Sequence, residues 1–228
     1  MTEREYFQGF RGWCKNPRVE IDFECAAGVP LTLVHRAKDL RDKANREAAR
    51  TGDDFVRYDE VWCVFDVDDH PRVPDARAQA QSADLRIAMS NPCFELWLLL
   101  HFTDNPGMQH RDELQARART HMPAVADKHV DFKRLVAGYD AAYRRAERLV
   151  DDARARGDDV TGNPSTEVYL LTDSIDEDGA VRRKRPTTAH EESRAKAEAA
   201  AERARLQAEQ ELVALACVEA ALDVEPER

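Results

Sequence analysis

An acidic cluster, Asp66-Val67-Asp68-Asp69-His70, directly follows a compact apolar run at residues 61–65. Alternate residues of an extended chain point to the same side, so Asp66 and Asp68 are expected to lie together. Carboxylate oxygens are the ligands that Mg²⁺ prefers, and a bound ion would stabilise charge on a phosphate and activate a water molecule. The pattern predicts a site for Mg²⁺ or Mn²⁺ at Asp66 and Asp68. The alternative is a solvated acidic turn at a strand end, since Asp is common in turns.

Glu95 and His101 are the two polar residues of an otherwise apolar helix predicted over residues 94–102. We expect Glu95 to orient or complete the site made by Asp66 and Asp68, so that these three residues are the candidate catalytic set. The alternative for Glu95 is a capping-box or helix-dipole role. His101 is predicted to be a buried, hydrogen-bonded core residue, because imidazole is a poor ligand for Mg²⁺.

Two short polar motifs are predicted to begin helices. Ser90 or Asn91 is expected to cap the helix that contains Glu95. Ser165 or Thr166, in the segment Asn-Pro-Ser-Thr-Glu-Val at residues 163–168, is expected to cap another short helix.

The elements that would position these residues alternate along the first half of the chain. Apolar periodicity predicts helices at residues 3–14, 34–48, 74–83 and 94–102, and strands at residues 19–23, 61–65 and 85–89. Such alternation indicates an α/β fold with a mostly parallel sheet flanked by helices. Ligands of such sheets bind beyond the carboxyl ends of the strands, where the acidic cluster lies.

The second half of the chain is predicted to be helical. One amphipathic face covers residues 132–150, and residues 165–173 form a short helix. A basic, turn-rich linker at 179–186 precedes a long helix predicted over 188–222, which is rich in Ala, Glu and Arg. The predicted organisation is an α/β core at 1–110, a helical extension at 111–178 and a long C-terminal helix at 187–228.

The amino-acid composition limits which functions and which cellular compartment are expected for this chain. The net charge of −10 argues against a passive nucleic-acid coat but is compatible with a carboxylate metal site. Five cysteines, widely spaced and without a C-x-x-C pair, predict free thiols in a reducing compartment. No apolar stretch has the length of a membrane span and no signal peptide is evident, so a cytoplasmic protein without a membrane partner is expected.

Four segments together resemble the RloB family, which is associated with bacterial restriction loci and phage defence. The segment Thr-Glu-Arg-Glu-Tyr-Phe at 2–7 resembles the family's opening T-E-x-x-Y-F, and Phe-Asp-Val-Asp-Asp-His at 65–70 resembles its F-D-x-D-x-H. Residues 90–102 and 163–168 resemble its S-N-P-x-F-E-x-W-L-L-x-H-F and N-P-S-T-x-V segments. The matches occur in the family's order and cover most of residues 2–175.

The resemblance implies a Toprim-like core and a magnesium-dependent nuclease, with a nucleic-acid substrate and an ABC-type ATPase as partner. The D-x-D pair of Toprim domains maps onto Asp66 and Asp68. In relatives the companion glutamate belongs to an E-G dipeptide shortly before T-E-x-x-Y-F. This chain begins at Met1, so the first strand and that glutamate are expected to be absent. Glu3 is expected to lie in the following helix.

Other functions remain open at this point. A non-catalytic interaction or assembly subunit, forming a homo-oligomer or an ATPase complex through the C-terminal helix, is the main alternative, and an absent first strand would favour it. A phosphohydrolase with Asp66 as nucleophile fits the acidic cluster locally. A Rossmann-type nucleotide binder has little support, since the sequence has neither G-x-G-x-x-G nor a Walker A motif.

Overall fold

The computed structural model describes residues 2–16, 19–24, 29–67, 70, 72–123 and 129–176. These ranges form eight α-helices, a 3₁₀ turn at Asp54–Val56 and three short strands. The helices are α1 (Thr2–Cys14), α2 (Pro30–Thr51), α3 (Val73–Ser82), α4 (Glu95–Leu100), α5 (Arg111–His121), α6 (Phe132–Val136), α7 (Tyr139–Arg156) and α8 (Val168–Asp176). The strands are β1 (Trp62–Asp66), β2 (Arg86–Asn91) and β3 (Ser165–Thr166). The predicted α/β class is confirmed at this level, whereas the helix predicted at 187–228 lies outside the described residues.

The three described strands form one mixed sheet in the order β1-β2-β3. β1 and β2 are parallel, with α3 between them in sequence, and their register runs from Trp62 opposite Arg86 to Asp66 opposite Ser90. β3 is antiparallel to β2. One of the two described strand pairs is therefore parallel, and the carboxyl ends of β1 and β2 meet at the same edge of the sheet.

The alternating segment at residues 19–24 forms no strand in the described structure. Val19, Ile21 and Phe23 are half-buried against the main core, whereas the acidic residues between them are exposed. The prediction of a strand here is wrong. The period of two correctly indicated an extended segment with one buried side, but none of the described strands pairs with it.

The amphipathic face predicted over residues 132–150 is divided between two helices, because the chain turns at Ala137 and Gly138 between α6 and α7. A Cβ atom at Gly138 would overlap the backbone carbonyl of His101. Only glycine allows this close approach, which packs the start of α7 against the end of α4. The apolar side chains of both helices still enter the same core.

Aromatic side chains of α1, α4 and α7 make up the centre of the main core. The rings of Tyr6, Phe10, Phe94, Trp97 and Tyr139 are each at most 3% exposed. Tyr6 lies 5.7 Å from Phe94 and 6.1 Å from Trp97 between ring centroids, both in edge-to-face geometry. We call Tyr6, Phe94, Trp97, His101 and Tyr139 the ring cluster. This cluster fixes α1 against α4, which follows β2.

A second, smaller core lies between β1, α2 and α3 and includes Val34, Cys63, Ala76 and Leu85. α2 ends at Gly52, whose φ of 74° is the left-handed conformation that glycine tolerates. Cys14, Cys63 and Cys93 are buried free thiols, as predicted. Among the described helices, none is both long enough and apolar enough to cross a membrane.

Candidate functional site

Asp66 is the last residue of β1 and lies opposite Ser90 of the parallel strand β2. Its side chain is half-buried, and its Oδ1 accepts a 2.8 Å hydrogen bond from the backbone N–H of Phe94. Phe94 immediately precedes α4 and has no capping side chain of its own. The Asp66 carboxylate therefore satisfies a donor at the start of α4, in the way that a capping residue would.

The predicted capping of α4 by Ser90 or Asn91 is wrong. Both residues belong to β2, and three further residues turn the chain before α4 begins at Glu95. The hydroxyls of Ser90 and Thr166 are hydrogen-bonded at 2.8 Å, and the Asn91 side-chain amide donates to the carbonyl of Thr161 at 2.9 Å. These polar groups hold β2 against the segment that contains β3 rather than starting a helix.

Glu95 is half-buried at the first residue of α4 and directly follows Phe94, whose N–H is bound to Asp66. Burial raises the pKa of the Cys93 thiol, and the charge of Glu95, a hydrogen bond to Glu95 and the charge of Asp66 raise it further. The thiol is consequently neutral and lies within electrostatic range of both carboxylates. The structure thus places Asp66 and Glu95 at the same end of the sheet.

Asp68, the third predicted site residue, lies outside the described residues. The described residues include no group of three His, Cys, Asp or Glu side chains arranged to hold a metal ion. The two carboxylates that are described, Asp66 and Glu95, supply the hard oxygen donors that suit Mg²⁺. The donor chemistry at this edge therefore fits a hard divalent cation, which Asp66 and Glu95 would help to hold.

Sequence reasoning missed the role of residues 163–168. Ser165 and Thr166 form β3 beside Asn91 and Ser90 of β2. Thr166 also accepts a 3.4 Å hydrogen bond from the N–H of Val168, so its predicted position at the start of a helix agrees with α8. A two-residue strand carries no recognisable periodicity, which explains why only the helix was predicted.

An ion pair between Arg77 of α3 and Glu167 adds a further link to β2. Two hydrogen bonds join the guanidinium to the carboxylate, at 2.8 and 3.1 Å. The backbone N–H of Glu167 donates to the carbonyl of Met89 at 2.8 Å. Arg77 and Glu167 are separated by 90 residues, and neither lies in a local pattern that would identify its partner. Glu167 thus fixes the segment after β3 both to α3 and to Met89 of β2.

All four segments that resemble the RloB family meet around residues 90–97. Tyr6 and Phe7 of the first segment contact the ring of Phe94, at 5.7 and 6.1 Å between centroids. Asp66 of the second segment binds the N–H of Phe94, and Thr166 of the fourth binds Ser90. Segments that are far apart in sequence thus form one connected region at the carboxyl ends of β1 and β2.

His101 lies inside the ring cluster and is 5% exposed. Its Nδ1 is 2.9 Å from the carbonyl oxygen of Trp97, so this nitrogen donates and Nε2 is the unprotonated one. Within the described part of the chain, His101 Nε2, Trp97 Nε1 and Tyr6 Oη have no hydrogen bond of good geometry. His101 is therefore a core residue, as predicted.

Acidification is expected to destabilise the protein through His101. Burial lowers its pKa from 6.5 to about 4. Between these two pH values the unfolded chain binds a proton that the folded protein excludes, so the stability falls as the pH is lowered through this window. The total loss is about 3 kcal/mol, and above the upper pH value His101 makes no contribution to the pH dependence of stability.

Urea unfolding over a series of pH values measures this loss, with His101→Asn as the comparison. The asparagine amide can donate to the Trp97 carbonyl in place of Nδ1, but it does not titrate. The variant should be less stable at neutral pH and should have a shallower pH dependence, by close to one proton. Equal slopes in the two proteins would show that His101 is readily protonated in the fold.

The fold and the site together define a mixed α/β protein with acidic residues at the carboxyl ends of two parallel strands. The sequence model of the family described as RloB-like protein matches residues 1–175. The chain belongs to the RloB-like family. Comparisons with curated proteins and with solved structures gave no significant match.

Proposed function

We propose that the chain is a metal-dependent nuclease with a Toprim-like site, acting in bacterial phage defence. The observation that carries the proposal is the position of Asp66 at the carboxyl end of β1, beside β2 and close to Glu95. Parallel strands present ligand-binding residues at this edge. The parallel β1–β2 pair with α3 between the strands is the part of the described sheet that is compatible with a Toprim-like arrangement.

Asp66 and Asp68 would hold Mg²⁺ or Mn²⁺, and Glu95 would complete or orient the site. The hydrogen bond from the Phe94 N–H fixes the direction of the Asp66 carboxylate, so this ligand is positioned before any ion binds. A bound Mg²⁺ would supply Lewis-acid stabilisation of the phosphate and a more acidic water molecule. The β2–β3 contacts and the Arg77–Glu167 pair hold the surrounding backbone in place.

Incubation of the full chain with DNA or RNA tests the proposal directly. Single-stranded and duplex substrates should each be tested with Mg²⁺, with Mn²⁺ and with EDTA. We expect cleavage of at least one substrate with either metal and none with EDTA, because the carboxylates would hold the ion that activates the attacking water. Intact substrates under every condition would contradict a nuclease activity of this chain alone.

A second function, as an interaction subunit, has one specific observation in its favour. Phe55 on the 3₁₀ turn is 99% exposed, and the nearby Val56 and Tyr58 are 38% and 41% exposed. Exposed aromatic side chains are typical of contact surfaces. An ABC-type ATPase or a second copy of the chain would be the partner. The cleavage assay separates the two functions, since a purely interacting subunit would leave every substrate intact.

A further inference from the structure

A groove runs along the exposed side of α1, between this helix and the extended segment at 19–24. It encloses about 560 Å³. Its lining residues are polar or charged on the helix side and partly apolar on the other: Arg4, Gln8, Arg11, Gly12, Lys15, Asn16, Ile21, Asp22 and Phe23. We call this feature the α1 groove.

The α1 groove concentrates positive charge in a protein whose net charge is −10. Arg4, Arg11 and Lys15 are exposed, and their spacing places them on one face of the helix. None of the three forms an ion pair with a residue that the structure describes; Arg11 donates to the Val19 carbonyl at 3.0 Å, and Arg4 lies over the Phe23 ring. The one acidic lining residue, Asp22, accepts a hydrogen bond from Tyr58 at 3.0 Å. The groove therefore presents three cations and one carboxylate.

Lys15 holds its charge at this groove in an unusual backbone conformation. Its φ of 50° lies in the left-handed region, at the end of α1 where glycine is the common residue. A glycine would adopt this conformation with less strain. Lys15 therefore places an ammonium group at a position where the backbone conformation favours glycine.

We propose that the α1 groove binds the phosphodiester backbone of a single strand of nucleic acid. Arg4 and Lys15 are about 16 Å apart along the helix axis, which suits several successive phosphates rather than one anion. Phe23 and Ile21, both half-buried, offer apolar surface to bases on the opposite wall.

The choice of nucleic acid as the polyanion rests on the proposed nuclease function. The groove is connected to the candidate site around Asp66 through α1. The buried side of α1 carries Tyr6 and Phe7, which contact Phe94. Phe94 in turn donates to Asp66. A strand held along the exposed side of α1 would therefore be bound by a rigid element that also contacts the acidic edge of the sheet.

Fluorescence anisotropy with a labelled oligonucleotide of about 20 nucleotides tests the proposal, using the full chain in EDTA so that cleavage plays no part. Lys15→Gly is the principal variant, because it removes a charge while relieving the backbone. Arg11→Gln is the second variant. Arg119→Gln is the matched control, since Arg119 is an exposed residue of α5 outside the groove.

Each groove variant should weaken single-strand binding about tenfold at about 50 mM salt, because one fewer counterion is released. The slope of log affinity against log salt should fall by about 0.7 for each charge removed. Arg119→Gln should leave both quantities unchanged, and Lys15→Gly should melt no lower than the wild type.

Unchanged affinity in both groove variants would overturn the proposal, as would an equal loss in Arg119→Gln, which would indicate a response to net charge alone. Duplex binding as tight as single-strand binding, with the same sensitivity to Lys15→Gly, would overturn the single-strand assignment. Groove-dependent binding without cleavage would contradict the nuclease and leave the groove supported. Cleavage that is insensitive to Lys15→Gly and Arg11→Gln would support the nuclease and contradict binding of the substrate in the groove.

Discussion

Trp97→Ala is expected to lower the free energy of unfolding by about 3–5 kcal/mol. The indole is completely buried in the ring cluster, with the rings of Tyr6, His101 and Tyr139 5.0–6.3 Å away between centroids. Truncation leaves a cavity between α1, α4 and α7 and removes these contacts. Since a domain is stable by only about 5–15 kcal/mol, the variant should be partly unfolded or insoluble.

Urea unfolding followed by circular dichroism measures the effect, and two further variants define its cause. Trp62→Ala removes a half-buried tryptophan that bonds to Glu60 and lies under Arg86, so it should cost about 1 kcal/mol. Trp97→Phe keeps most of the ring and removes an N–H that has no hydrogen bond of good geometry, so its cost should be well below that of alanine. A Trp97→Ala protein with the wild-type midpoint would show that the ring cluster does not stabilise the fold.

The proposed function predicts that Asp66→Asn reduces metal-dependent cleavage by about a thousandfold, because the variant would lose a metal ligand worth several kcal/mol in the transition state. The amide oxygen of asparagine can still accept the hydrogen bond from Phe94, so the fold should be retained. Mg²⁺ should raise the melting temperature of the wild type but not that of Asp66→Asn, because an ion bound only to the folded state stabilises it.

Asp75→Asn is the matched control, since Asp75 is an exposed residue of α3 paired with Arg72. It should cleave and respond to Mg²⁺ like the wild type. Asp66→Ala removes the capping oxygen as well as the charge and should cost about 1 kcal/mol of stability in addition to activity. Wild-type cleavage by Asp66→Asn would exclude Asp66 from the site, and equal loss in Asp75→Asn would point to a general effect of charge.

Elements with strong local signals could be predicted from the sequence. β1 and β2 follow from compact runs of β-branched, aromatic and alternating residues, and α2 ends at Gly52 as its left-handed conformation requires. The placement of Asp66 at a strand end follows from the position of that run. The proximity of Glu95 to Asp66 could be expected once the two strands were taken as parallel neighbours.

Features that depend on distant residues could not be predicted in this way. The extended segment at 19–24 alternates like a strand but has no described strand beside it, because pairing is decided by the rest of the fold. The capping of α4 comes from Asp66, 28 residues before Phe94, and not from the adjacent polar residues. The Arg77–Glu167 pair joins residues that no local periodicity connects.

The ring cluster has a consequence for how relatives of this protein should be judged. Tyr6, Phe94, Trp97 and His101 belong to the segments by which the family resemblance is noticed, yet they are interior residues. A homologue that keeps these rings and replaces Asp66 would be expected to adopt this fold but to lack the proposed metal site. Genome surveys should therefore examine the acidic positions separately, because the buried rings are needed for the fold whether or not the acidic residues are kept.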